Sequence, residues 1–402
     1  MRVEPLPISA AAFATRMDDL RFGFGKWDLH VGGKATVPAS ALVLSREEHH
    51  SIVRDAEALT GLAARARDRI KREPALAQGL GIPSALLAAG VAEADAQLAT
   101  RLDFFRTRQG WQVSEFNDDC PGGYNEAIGL PALLGDALPP GTGLAGDLPD
   151  ALVRLATAMH TDAGPLALLY ATGYSEDLQV VEMLRRLLDG AGMPSVLASP
   201  SNLELQSGRL HVLGGAVGGL FRFFPADWLL GLPNWKSWGR LGASGIPVSN
   251  PLSAVLTQSK AIHGWLHANT GGHDRELVQR LLPPTRLLDD STARDALAEP
   301  HRFVLKPTFG RMGEAVVLGR ECPPATWRKR VTAATRAART RPFVVQDRFD
   351  SVPVETQPGR TATACVGAYV VAGRFAGYYS RLAHGPLVAH DATNVLTVVE
   401  GL

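Results

Sequence analysis

The spacing of hydrophobic and polar residues changes along the 402-residue chain. Between residues 45 and 100, apolar residues recur at helical intervals, as in SIVRDAEALTGLAARARDRI, and predict helices. From residue 99 to 120 the pattern changes to short alternating runs, which predict strands. Further along, we predict a strand (PLALLYATG), a helix with Ser175 as its N-cap (SEDLQVVEMLRRLLDGAG) and a second strand (PSVLAS). This order is typical of a parallel sheet with a helical crossover.

Two further features divide the chain into segments. The loop LPPGTGLAGDLP is rich in proline and glycine and marks a junction. Beyond residue 249, strand-rich stretches are separated by a basic helix. We therefore expect a mixed α/β fold with four segments. They are a mostly helical region at 1–98, a hairpin segment at 99–150, a small α/β segment at 151–248 and a strand-rich C-terminal segment at 249–402.

The run RLDFFRTRQGWQVSEFN predicts a β-hairpin that concentrates acidic and amide side chains. If Gln109 lies at the centre of the turn, Asp103 faces Glu115 and Arg101 faces Asn117. Side chains alternate along a strand, so these four residues share one face. Two carboxylates and an amide oxygen on one face suit a hard cation such as Mg²⁺. The alternative is a solvated hairpin whose acids face water, and the spacing alone favours neither.

The run FVLKPTFGRMGEAVVLG predicts a strand that ends in Lys306, a glycine-containing loop and a second strand. Gly310, Arg311 and Gly313 lie in this loop, where glycines let backbone amides approach phosphate oxygens closely. A loop that leads into a strand differs from a Walker loop, which leads into a helix. The alternative is an ordinary hairpin loop with an exposed lysine and arginine.

Two isolated residues extend this candidate phosphate site. Lys260, in TQSKAIHGWL, is predicted in the first turn of a helix, where anions are favoured. Gln346 ends a predicted buried strand in FVVQDRFD, a position at which it could border a nucleotide. An exposed lysine and a common polar strand end are the respective alternatives.

Composition excludes several classes of partner. Forty-one basic and forty acidic residues leave a net charge of +1, so no global field attracts nucleic acid or an anionic membrane. The basic stretch RKRVTAATRAARTR lacks interleaved aromatic residues and is interpreted as a solvated helix, so we expect no nucleic-acid partner. We also expect no membrane span, because no apolar run reaches 18 residues. Three widely spaced cysteines predict no disulfide framework and a cytoplasmic protein.

The order of these motifs resembles the circularly permuted branch of the ATP-grasp superfamily, and most closely the synthetase domain of glutathionylspermidine synthases. The likeness spans roughly residues 100 to 390. The matching residues are Arg101, Asp103, Glu115, Asn117, Asp119, Pro121, Asn250, Pro251, Ser259, Lys260, Leu305, Lys306, Pro307, Gly310, Arg311, Gly313, Gly377 and Arg381. The permutation explains why the acidic hairpin precedes the lysine strands. The resemblance implies an ATP-grasp fold that holds a nucleotide between two sheet-containing subdomains.

The resemblance also implies roles for the candidate residues. Asp103, Glu115 and Asn117 would bind two Mg²⁺ ions that bridge the phosphates of ATP. Lys260 and Lys306 would contact the α- and β-phosphates, and the loop from Gly310 through Arg311 to Gly313 would close over them. Arg101 and Arg381 would steady the transferred phosphoryl group.

The implied activity is ATP-dependent formation of an amide from a small-molecule or peptide carboxylate and an amine. The sequence departs from the family at Cys120–Tyr124, where glutathionylspermidine synthases carry small hydroxyl residues that help to bind glutathione. We therefore expect a different carboxylate substrate. Two alternatives remain, a nucleotide-binding regulator without turnover and a kinase that phosphorylates a hydroxyl group.

Overall fold

A computed structural model describes residues 1–92, 98–161, 164–242, 244–310 and 313–402. Its strands, in chain order, are β1 (Arg2–Pro5), β2 (His30–Val31), β3 (Lys34–Ala35), β4 (Ser40–Leu44), β5 (Ala99–Thr107), β6 (Gly110–Asn117), β7 (Thr142–Gly143), β8 (Leu166–Tyr170), β9 (Ser195–Ala198), β10 (Leu203–Gln206), β11 (Arg209–Val212), β12 (Gly215–Ala216), β13 (Gly219–Phe223), β14 (Val248–Ser249), β15 (Thr285–Leu287), β16 (Phe303–Pro307), β17 (Val317–Leu318), β18 (Phe343–Asp347), β19 (Val354–Gln357), β20 (Arg360–Val371), β21 (Arg374–Ala383) and β22 (Thr393–Glu400).

Helices connect and cover these strands. They are α1 (Ala10–Phe22), α2 (Arg46–Arg72), α3 (Ser84–Ala92), α4 (Tyr124–Leu134), α5 (Leu148–Met159), α6 (Ser175–Gly190), α7 (Ala226–Leu229), α8 (Trp235–Gly242), α9 (Val255–Gln258), α10 (Ile262–Asn269), α11 (Gly272–Leu281), α12 (Asp290–Ala298) and α13 (Pro324–Ala337). Within the described ranges, no helix has both the length and the apolar character that crossing a membrane requires. The three cysteines are free thiols, as their spacing predicts.

A nine-stranded sheet forms the largest layer of the protein. Its main order is β1-β4-β22-β21-β20-β5-β6, and β7 and β19 pair with β22 and β20. Neighbouring strands are antiparallel except for β4 and β22, which run parallel. Strand β20 is buried along most of its length because the long helix α2 packs on one face of the sheet and α5 on the other. The apolar runs in β20 and β22 fit this double-sided burial.

The first 98 residues, expected to be mainly helical, also contribute strands to this sheet. Strand β4 pairs with β1 and, in parallel, with the C-terminal strand β22. The ammonium group of Met1 lies 2.7 Å from the Glu48 carboxylate at the start of α2. The short run SALVL precedes a long helical pattern, and its partner lies about 350 residues further on, so local periodicity does not reveal the pairing.

The predicted strand, helix and strand beyond residue 164 are confirmed as β8, α6 and β9. The two strands belong to a four-stranded parallel sheet of order β14-β13-β8-β9. The N-cap prediction was wrong by one residue. Ser175 is the first residue of α6, and Tyr174 occupies the N-cap position with extended backbone geometry. The helix ends at Gly190, as the glycine predicts.

A four-stranded antiparallel-paired sheet of order β15-β18-β16-β17 carries the lysine strand. Helices α12 and α13 cover its outer face, and Trp327 of α13 is almost fully buried there. The basic residues of α13 are exposed to solvent, as expected of a solvated helix. The inner face of this sheet turns towards the β5–β6 hairpin of the large sheet, as shown by the 3.5 Å contact between Lys306 Nζ and Ser114 O.

Candidate functional site

A cavity of about 1120 Å³ lies between the large sheet and the lysine-bearing sheet. Ten of the eleven predicted site residues line this cavity. They are Arg101, Asp103, Glu115, Asn117, Lys260, Lys306, Gly310, Gly313, Gln346 and Arg381. Arg311, the remaining predicted residue, lies outside the described residues. The structure therefore brings together residues that are up to 280 positions apart in the sequence.

The register of the β5–β6 hairpin places the acidic residues at the cavity wall. The predicted pairing of Arg101 with Asn117 is confirmed, although the turn is tighter than a turn centred on Gln109 requires. Thr107 pairs with Gly110, and a bulge between Leu102 and Phe104 restores the register at Arg101 and Asn117. Asp103 falls at this bulge, so the predicted pairing of Asp103 with Glu115 is wrong. The extra residue lies in β6, and without it the β6 side chains beyond the bulge would be shifted by one position and turned to the opposite face.

The Asp103 carboxylate is held between two arginines. Arg101 Nε donates to Asp103 Oδ1 over 2.7 Å, and Arg381 Nη2 donates to Oδ2 over 3.0 Å. On β20, Gly367 lies opposite Asp103, and a Cβ atom there would lie 2.9 Å from Arg101 Cδ, so glycine makes room for the arginine. Two guanidinium groups and one carboxylate leave a surplus positive charge at the cavity, which suits phosphoryl oxygens.

Two predicted lysines surround the second carboxylate. Lys260 Nζ lies 3.1 Å from Glu115 Oε2 and 3.4 Å from the carbonyl oxygen of Gly310. Burial alone would raise the pKa of Glu115, but Lys260 and Lys306 lower it to about 2. Glu115 is therefore anionic at neutral pH and remains a potential cation ligand.

Lys306 projects from β16 and is 8% exposed. Its ammonium donates to Gln346 Oε1 over 2.7 Å. Burial lowers the pKa of Lys306 to about 8, and the attraction of Glu115 offsets that effect only in part. Burial thus disfavours the charged form of Lys306, and a bound anion would stabilise that form.

This lowered pKa predicts a pH-dependent affinity for nucleotides. A bound phosphate favours the charged form of Lys306. Above pH 8 the lysine must therefore take up a proton when the nucleotide binds. The affinity for the nucleotide is highest at pH values below the pKa that Lys306 has in the free protein. We expect the affinity for ADP with Mg²⁺ to fall by about 20-fold between pH 7.5 and 9.5 in calorimetric titrations. Lys306→Arg is the matched control, because a guanidinium stays charged throughout this range and should flatten the profile. An equally steep profile for Lys306→Arg would contradict the assignment to Lys306.

The hairpin brings carboxylate and amide oxygens, the ligand types that Mg²⁺ prefers, to the cavity wall. In the described part of the chain, no group of three or more His, Cys, Asp or Glu side chains is placed to hold a metal. Asn117 Nδ2 donates to the carbonyl oxygen of Arg101 over 3.2 Å, which orients its amide within the hairpin. Carboxylate and amide oxygens, completed by substrate phosphates, are the usual ligands of Mg²⁺.

The two acidic residues that follow the hairpin bind other parts of the protein. Asp119 Oδ1 accepts a hydrogen bond from Arg222 Nη2 over 2.5 Å, and Oδ2 accepts from the backbone N–H of Ala226 over 2.9 Å. Asp118 lies 3.3 Å from Arg67 and accepts a hydrogen bond from Thr257. These buried pairs fix the hairpin against the parallel sheet and helices α2 and α9.

Several cavity residues were not predicted from the sequence. Lys26 Nζ lies 2.7 Å from Asp28 and 2.8 Å from Glu126, which brings the N-terminal region to the cavity wall. The ring of Tyr379 lies 5.0 Å from the Arg101 guanidinium and 5.5 Å from that of Arg381. Lys26 lies in a loop without periodic signal. The alternation of β21 could have placed Tyr379 in a strand, but not its two arginine contacts.

Glycine is required where the chain passes Tyr379. Gly123 has φ +97°, and a Cβ atom there would lie 2.8 Å from the Tyr379 ring. Gly313, at the end of the phosphate-loop candidate, has φ +74°. Both positions use backbone geometry that other residues rarely adopt.

Two sheets that close on one cavity, one with the acidic hairpin and the other with the lysine strand and glycine loop, define an ATP-grasp fold. The acidic hairpin comes first in the chain, as the permuted order requires. The chain belongs to the glutathionylspermidine synthase preATP-grasp family, whose model matches residues 19–400.

Two solved structures are similar to this chain at low sequence identity, and the first of them shares its fold. A ligand-free glutathione synthetase-like effector from Globodera pallida is 11% identical, with a TM-score of 0.63, and the match covers 98% of this chain and 99% of that one. A protein described as a gamma-glutamylcysteine synthetase from Methylobacillus flagellatus is 15% identical, with a TM-score of 0.49, over 84% of this chain and 87% of that one. A comparison with curated proteins gives no match.

Proposed function

We propose that the protein is an ATP-dependent carboxylate–amine ligase that forms an amide bond through an acyl phosphate. The observation that carries this proposal is the convergence of Lys260, Lys306 and the Arg101–Asp103–Arg381 cluster on one cavity. The cavity exceeds the roughly 300–1,000 Å³ typical of a single small-molecule site. Its size supports the presence of a nucleotide together with two further substrates.

The nucleotide end of the cavity contains Lys260, Lys306 and the segment around Gly310. Their charges and backbone amides would bind the phosphates of ATP and orient the γ-phosphate towards the arginine cluster. Asp103, Glu115 and Asn117 would hold the magnesium ions, two by analogy with the family. When bound, Mg²⁺ neutralises phosphate charge that the lysines alone would not balance.

The arginine cluster is suited to the chemical steps. A substrate carboxylate oxygen attacks the γ-phosphorus, the bond to the ADP oxygen breaks, and an acyl phosphate forms. The amine then attacks the acyl carbon, phosphate leaves, and the amine loses a proton. Arg101 and Arg381 would stabilise the phosphoryl oxygens in both steps, so no protein nucleophile is needed.

The segment Cys120–Tyr124 supports a carboxylate substrate other than glutathione. Tyr369 Oη donates to the carbonyl oxygen of Gly122 over 2.6 Å, and Gly123 packs on Tyr379. Backbone contacts thus fix this segment, which has no serine or threonine where the glutathionylspermidine synthases carry small hydroxyl residues. We infer that the acid is a different small molecule or peptide.

Hydroxylamine trapping tests the proposed function directly. Hydroxylamine converts an acyl phosphate into a stable hydroxamate. We expect one or more acids in a panel of amino acids, peptides and other small carboxylates to give equal amounts of ADP and hydroxamate, with both products dependent on Mg²⁺. The product mass separates the alternatives: a phosphoester identifies a kinase, whereas nucleotide binding without turnover across the panel favours a regulator.

A further inference from the structure

The side-chain amide of Gln346 is fully engaged within the protein. Its Oε1 accepts from Lys306 Nζ over 2.7 Å, and its Nε2 lies 2.9 Å from Thr285 Oγ1 and 3.3 Å from His263 Nδ1. Gln346 pairs with Thr285 on one side and with Val304 on the other, two residues from Lys306. These polar groups therefore share one face of the sheet.

The charge of Lys306 determines how the other groups must be protonated. An ammonium carries only donors, so the oxygen of Gln346 faces it and the NH₂ group points the other way. The Thr285 hydroxyl donates to the carbonyl oxygen of Pro283 over 2.9 Å, which leaves its oxygen to accept from Gln346. The Nδ1 atom of His263 must likewise be an acceptor. His263 is therefore the neutral tautomer with its proton on Nε2.

This tautomer is costly at a buried position. His263 is 1% exposed, and its Nε2 has no hydrogen-bond partner among the described residues. An unsatisfied buried donor destabilises the folded protein. Phe116 packs edge-on against the imidazole with ring centroids 5.7 Å apart, and an apolar side chain would suit this environment without that cost. Among the described residues, the polar contact made by the His263 ring is the one between its Nδ1 atom and the Gln346 amide.

We propose that His263 is a positioning residue of the nucleotide site, which acts with Thr285 to hold the Gln346 amide so that its oxygen fixes the Lys306 ammonium. Two acceptors on the NH₂ group prevent the amide from rotating. A rotated amide would present donors to the ammonium, and Lys306 would move away from the cavity. This inference rests on the proposed binding of a nucleotide phosphate by Lys306.

Calorimetric titration with ADP and Mg²⁺ tests the inference without knowledge of the acid or the amine. His263→Phe keeps a ring against Phe116 but removes the acceptor, and we expect it to weaken ADP binding about tenfold. His263→Asn is the matched variant, because its amide oxygen can replace Nδ1, and its affinity should stay within about threefold of the wild type. Thr285→Val removes the second acceptor and should also weaken binding, which covers the case in which His263→Phe does not fold.

A double-mutant cycle separates positioning from general destabilisation. In a Gln346→Leu background, His263→Phe should cause no further loss of ADP affinity, because its effect passes through the amide. Equal losses in both backgrounds would overturn the inference, as would unchanged affinity in folded His263→Phe and Thr285→Val proteins. If the wild-type protein binds no ADP, the proposed nucleotide site itself fails and this inference fails with it.

Discussion

Replacement of Lys306 by methionine is expected to lower kcat/KM for ATP by about 10³-fold, as measured by release of ADP with an acid that gives a hydroxamate. Methionine preserves the length of the side chain within the sheet but removes the charge that would meet the phosphates. Lys306 is buried and its ammonium is held by Gln346, so the substitution removes a charge that the protein fixes at the cavity wall. The loss should also appear as weaker binding of ADP.

The same substitution at Lys329 is the matched control. Lys329 lies on the exposed face of α13, away from the cavity, and Lys329→Met should leave turnover within twofold of the wild type. Retention of more than a tenth of the activity by folded Lys306→Met would show that the lysine strand does not contact the nucleotide.

Replacement of Glu115 by glutamine is the second large effect that we expect. The amide keeps the shape of the side chain but removes the negative charge that would hold Mg²⁺, and turnover should fall on the order of 10³-fold. The half-saturating Mg²⁺ concentration should rise as well, which a simple folding defect would not cause. Titration of ADP release with Mg²⁺ at saturating ATP measures both quantities.

Glu47→Gln provides the comparison for this variant. Glu47 is exposed in the first turn of α2, far from the cavity lining, so its replacement should change neither turnover nor Mg²⁺ dependence. If Glu115→Gln kept the wild-type Mg²⁺ requirement, the hairpin would not be the metal site.

Local sequence patterns predicted those parts of the protein whose order is set over short distances. The β5–β6 hairpin, the β8–α6–β9 unit and the strand that carries Lys306 follow from periodicity and turn residues. The pairing of Arg101 with Asn117 was also predicted, although a bulge and a tighter turn produce it. The tighter turn shifts the register of the hairpin by one residue and the bulge shifts it back, and the sequence pattern reveals neither change.

Contacts between residues far apart in the chain could not be predicted from local sequence patterns, because they depend on the order of the strands in the sheets. Asp103 is held by Arg101 and Arg381. Arg381, on β21, reaches Asp103, on β5, because β20 lies between these two strands. The tautomer of His263 depends on Gln346 and Lys306, which lie on two other elements. Such contacts follow from sheet order across hundreds of residues, whereas propensity and periodicity act over about ten.

The position of β22 has a consequence for biosynthesis. This strand, Thr393–Glu400, lies between β4 and β21 in the middle of the large sheet. During translation the N-terminal strands leave the ribosome long before their central neighbour exists, and their unpaired edges can associate with other nascent chains. A polypeptide truncated just before residue 393 would therefore lack the middle of the sheet rather than a dispensable tail.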